Sequence, residues 1–172
     1  MRLCLAAAMN AANKFAEGAE PTLMTQLKLI ALDETDLRII SAQLQDAVLK
    51  TGDMAWRPRE KRFAAVLNRF DWSLALKDEQ LQRRQCALRF ERVLKAQHTG
   101  VDPNGTAVLS LLAIQFEPAA PDNPAGVVTL LFAGDAAIRL EVECIEAELR
   151  DLGPVWGARA KPAHPEDEAG AT

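Results

Sequence analysis

Three stretches of the chain alternate apolar and charged residues at period two, and this alternation constrains its fold more than any other feature. The first is Cys86-Ala87-Leu88-Arg89-Phe90-Glu91, the second covers residues 107–117, and the third is Ile138-Arg139-Leu140-Glu141-Val142-Glu143-Cys144. Successive side chains on a strand point to opposite faces, so the pattern describes antiparallel sheet with one oily and one wet face. The phase places Cys86, Leu88 and Phe90 inward and Arg89 outward. No nucleophile motif, metal-ligand cluster or phosphate loop accompanies the pattern, so it speaks to fold and not to chemistry.

Around these stretches the spacing predicts further elements. Residues 27–32 read as a strand. Asp33 then stands where a helix N-cap belongs, with Glu34 and Asp36 at the positive end of the helix dipole. Leu37, Ile40, Leu44 and Val48 follow at helical spacing and predict an amphipathic helix over residues 34–47. Residues 51–53 form a turn, and Pro58 within the charged run 57–62 marks a hairpin-like connection. Residues 63–72 are apolar on both phases, as expected of a central strand covered on both faces. Residues 74–85 read as a loop or a single helical turn, residues 83–98 as one strand, and Asp102-Pro103-Asn104-Gly105 as a turn. The prolines of residues 118–124 exclude regular structure. A hairpin over 127–133 and 137–144 turns at Gly134-Asp135, and Ile145, Leu149 and Leu152 suggest a short terminal helix stopped by Gly153-Pro154.

The expected fold class is α+β: one domain over residues 24–156, a strongly bent antiparallel sheet or partly open barrel. It has about six to seven strands, since twisted strands joined by short turns pair antiparallel and curl on themselves. An N-terminal amphipathic helix and the short C-terminal helix plug it. A pleckstrin-homology-like roll is the nearest shape by element order. Residues 157–172, rich in Ala, Pro and charge, form a disordered tail. Residues 1–23 are either a disordered extension or the product of a start upstream of the true one at Met24. The short apolar run after Arg2, broken by Asn10, Asn13 and Lys14, makes a poor signal sequence.

At 172 residues, 49% hydrophobic and 26% charged, the composition is that of an ordinary soluble globular protein. A formal charge of −4 argues against nucleic acid as partner. No apolar run is long enough to span a membrane as a helix. Cys4, Cys86 and Cys144 are far apart without CxxC spacing. Cys86 and Cys144 read as buried thiols, a disulfide between them being the alternative, and a reducing cytoplasm fits best.

Residues 27–34, 41–48, Lys61-Arg62-Phe63, 67–72, 109–114 and 138–146 resemble, in order, a bacterial family known as domain of unknown function 2948. The likeness covers about residues 27–156 and omits 1–23, in keeping with Met24 as the start. It implies no activity, and no residue inherits a role from it.

Asn68-Arg69-Phe70-Asp71-Trp72 is the densest polar and aromatic cluster on a predicted strand, with Arg69 and Asp71 on one face about 7 Å apart. Asn68, Arg69, Asp71 and Trp72 form either a shallow anion-binding site with an aromatic wall or a strand end whose charges pair with neighbours. Arg83, Arg84, Arg89 and Arg92, joined by Lys61 and Arg62, could meet phosphates, though Asp78, Glu79 and Glu91 dilute them. His98 has no second ligand at zinc spacing, and His164 lies in the tail. Ser41 and Ser110 lack a nucleophile context. Glu141, Glu143, Glu146 and Glu148 read as acidic surface. No metal and no cofactor is expected. The leading reading is a cytoplasmic interaction or scaffold module that receives a protein partner. An enzyme centred on Arg69 and Asp71 comes second, and a phosphate- or nucleic-acid-binding module third. Residues 1–23 have no periodic apolar face to dock, so deleting them should leave the melting temperature unchanged; a fall of several degrees would show that the segment packs.

Overall fold

Burial follows the alternation residue by residue along most of the sheet. A computed structural model describes residues 26–71, 82–102 and 105–157, with the backbone alone at 154–157. After β1 (Lys28–Ala31) comes the helix α1 (Glu34–Gln43), then β2 (Val48–Lys50), β3 (Met54–Arg57), β4 (Arg62–Phe70) and β5 (Gln82–Phe90). The remaining strands are β6 (Val93–Thr99), β7 (Val108–Pro118), β8 (Gly126–Phe132), β9 (Ala137–Val142) and β10 (Ala147–Gly157). All pairings are antiparallel, in the order β1-β10-β5-β4-β2-β7-β8-β9-β6, with β3 beside β4. The sheet is not closed into a barrel. Its far end nevertheless returns to its middle, because Val93 N–H donates to the Lys61 carbonyl just ahead of β4. A strongly bent antiparallel sheet with one helix is therefore the architecture. Ten strands among the described residues replace the expected six or seven.

Three elements differ from the expectation for identifiable reasons. The helix stops at Gln43 rather than residue 47. Asp46 takes a left-handed φ of 60°, and the Asp46 and Leu111 N–H groups donate to Leu111 and Ala47 carbonyls, so the backbone is already pairing toward β2. The single strand expected over 83–98 is two strands. Arg92, at φ 59°, turns the chain out of β5, and β6 leaves to pair with β9. The expected C-terminal helix is β10, held by β5 on one side and β1 on the other. The closing helix on which the pleckstrin-homology comparison depended is thus a strand. β2 and β3 flank the turn expected at residues 51–53, where no strand was expected, each too short to display a period.

The helix forms as anticipated at its start: the Asp33 carboxylate accepts from Asp36 N–H at 2.8 Å. Leu37, Ile40 and Leu44 are buried, and the Ser41 hydroxyl accepts from Ile114 N–H at 2.8 Å, fastening α1 to β7. One core cluster joins these residues to the inward faces of the strands. No helix among the described residues is long and apolar enough to cross a membrane.

Cys86, Leu88 and Phe90 face this core, while Arg89 reaches Glu148 and Glu91 at the surface. Phe90→Ala should cost about 3–5 kcal/mol through lost burial and the remaining cavity. Arg89→Ala should cost at most about 1 kcal/mol, since its partners are solvated. Denaturant titration of both variants measures the ranking, and the opposite order would mean an inverted register.

Candidate functional site

Strand β4 carries Phe63, Ala65 and Leu67 inward, and the same phase continues through Arg69 to Asp71, so both charges point into the protein. Across β5, Arg84 is the cross-strand partner of Arg69 and also faces inward. Two like charges directly opposite repel. Two aspartates answer them. Asp151 of β10 accepts from Arg69 Nε and an Arg69 terminal nitrogen, both at 2.9 Å, and Asp71 accepts from Arg84 Nε. Leu27 N–H donates to the Asp151 carboxylate at 3.0 Å, and Asp151 N–H donates to the Leu27 carbonyl. The four charged residues are 3–7% exposed and sum to zero charge.

The electrostatics follow from that arrangement. Burial pushes the Asp151 carboxyl up, but hydrogen bonds from Arg69 and Leu27 N–H, with the charges of Arg69 and Arg84, hold it below the usual aspartate range. Burial opposes the charge on Arg69 too, and Asp151 with Asp71 more than offsets it, so its guanidinium binds its proton more tightly than usual. Cys86 lies beside them, its thiol pushed up by burial to about 12 despite the pull of Arg69. A thiol so protonated is a poor nucleophile. Cys86 and Cys144 are free.

Of the residues singled out from sequence, Arg69 and Asp71 thus belong to one buried network. Asn68 is on the opposite phase, its carbonyl accepting from Arg83 while its side-chain oxygen finds no partner among the described residues. Trp72 lies outside the described residues. The Arg83 guanidinium also stands 6.0 Å over the Phe70 ring. Elsewhere the basic stretch is interleaved with acids: Lys61 meets Glu143, Arg62 meets Glu60 and Glu91, and Arg92 meets Glu146. Among the described residues no three His, Cys, Asp or Glu side chains gather as a metal cluster.

A different feature was not anticipated. Between β3 and β6 lies a groove of about 300 Å³, lined by Met54, Trp56, Phe63, Ala96, Val101 and Ile138. Thr51, Gln97 and His98 contribute its polar atoms. β3 pairs only with β4 and β6 only with β9 among the described residues, so each has one backbone edge with no strand beside it. Both ends are tied. Val93 N–H reaches the Lys61 carbonyl at one end, while Thr51 N–H and hydroxyl reach the Ala107 and Gly105 carbonyls at the other. The sequence signal was Met54-Ala55-Trp56-Arg57, an alternation only four residues long.

Because the Asp151 carboxyl is depressed in the folded state, it adds stability that is fully present above the ordinary aspartate value of about 3.9. That stability disappears as pH falls through the lower folded value. Asp151→Asn leaves Arg69 buried without its counter-ion and should cost about 3–5 kcal/mol near neutral pH. Its stability should fall less steeply than the wild type's below about pH 4, where the wild-type carboxylate takes up its proton. Urea titrations at a series of pH values read both effects, and parallel pH curves would remove Asp151 from the acid response.

No curated protein and no solved structure matches the chain. A family model described as "Protein of unknown function (DUF2948)" matches residues 27–164. A match over that share of 172 residues, running through every described strand from β1 to β10, identifies the chain as a member of the DUF2948 family.

Proposed function

We propose that the chain is a small cytoplasmic interaction module that binds a partner protein and performs no chemistry of its own. The observation that carries this reading is the apolar groove flanked by the edges of β3 and β6 that no other described strand pairs. Unpaired strand edges and exposed apolar surface are what a partner can bury with gain. The rival reading as an enzyme centred on Arg69 and Asp71 is weakened by their buried ion pairs, which leave little of either group for a substrate. A phosphate-binding reading is weakened by the carboxylates beside Lys61, Arg62, Arg89 and Arg92. Two free thiols suit a reducing compartment.

The test places a photo-crosslinking amino acid at Gln97, on the groove, or at Lys28, on β1 at the opposite end of the strand order, in cells that make the protein. The Gln97 version should yield one defined adduct whose purified partner binds the unmodified chain with micromolar or tighter affinity. The Lys28 version should not yield that adduct. Equal adducts from both positions, or none from Gln97, would rule out the groove as the receiving surface.

A further inference from the structure

The walls of the groove specify their occupant further, given the interaction reading above on which this step rests. We infer that a partner enters as an extended, uncharged peptide segment, laying backbone along β3 or β6 and placing one or two large apolar side chains between Trp56, Phe63 and Ile138. Free strand edges offer N–H and C=O groups in alternation, and another extended chain is the ligand that meets both along its length. No Asp, Glu, Lys or Arg lines the groove, so a buried charge would meet no permanent counter-charge there. A helix has its backbone groups bonded within itself and could not pair with these edges. The groove has room for side chains of leucine or phenylalanine size. β3 has four residues, or about 13 Å of edge at ~3.3 Å per residue. The tied ends keep the slot from lengthening.

The experiment selects random ten-residue peptides by display against the immobilised full-length chain and measures the enriched sequences in solution. Enriched peptides should carry large apolar residues at alternate positions with no charge between them. Ala96→Glu should weaken binding at least tenfold. Leu94→Glu, on β6 but away from the groove and about half exposed, should change it less than twofold. Backbone amides of residues 54–57 or 94–99 should exchange more slowly with the peptide bound. If Ala96→Glu lowers the melting temperature, His98→Glu on the exposed rim is read in its place. Binding that protects neither edge, or that survives both substitutions, overturns the inference. So does a concentration-dependent dimer lost in His98→Glu, which makes a second copy the occupant, or oleate binding that excludes every peptide. A failed selection alongside a defined Gln97 adduct sinks only the extended-peptide inference, whereas failure of both sinks the interaction reading as well.

Discussion

Arg69 and Arg84 face each other across neighbouring strands inside the sheet, and the β1-β10-β5-β4 half can form only when that repulsion is answered. Asp71 is close in sequence to both. Asp151, by contrast, arrives 82 residues after Arg69, on the strand between β5 and β1. Until β10 docks, Arg69 would face the core without its counter-ion. Buried ion pairs are weak evidence for stability, since desolvation offsets most of the attraction. Their effect here is on alignment. Shifting β10 by one residue would carry Asp151 to the outer face and strand Arg69 inside. The two bonds between Leu27 and Asp151 extend the same constraint to the entry of β1.

The same network explains what the amino-acid sequence could and could not reveal. Strands β5 and β9 announce themselves because most of their inward positions are apolar and most of their outward positions charged or polar. In β10 the inward positions are Ala147, Leu149 and Asp151, with Glu148 and Arg150 between them. A carboxylate on the core phase breaks the period at its third member, and the surviving Ile145, Leu149 and Leu152 then mimic a helix. In β4 the inward run passes from Leu67 to Arg69 and Asp71 while Ala64, Val66 and Phe70 occupy the other phase, so neither phase reads as the wet one. Pairing partners from distant strands are not encoded in local spacing. The Asn68–Trp72 cluster was visible as a cluster, and its direction was not.

β2 and β3 were missed for a different reason. Three and four residues are too few for a period to show, and a short helical turn at Thr51–Asp53 separates them. That interruption is what opens the groove. β2 pairs with β7, but β3 continues along β4 alone, and β6 lies across the gap without pairing to it. An exposed edge invites unwanted pairing, and this chain limits the risk in two ordinary ways: β3 is very short, and β6 carries Lys95. A slot guarded against long sheets yet lined with Trp56, Phe63 and Ile138 suits a short segment better than indiscriminate edge-to-edge growth.

Strand β4 connects the groove to the ion network. Phe63, near its start, forms part of the groove, and Arg69, six residues later, is held in the ion network. At ~3.3 Å per residue the two lie about 20 Å apart along one strand. Local opening is easiest where packing and hydrogen bonding are thinnest. β3 and β6, with one paired neighbour each among the described residues, are where that thinness lies. A binding surface works best when its supporting elements are rigid and only its contact edge is free. The buried charges therefore hold β4 in register at one end while its other end lines the groove.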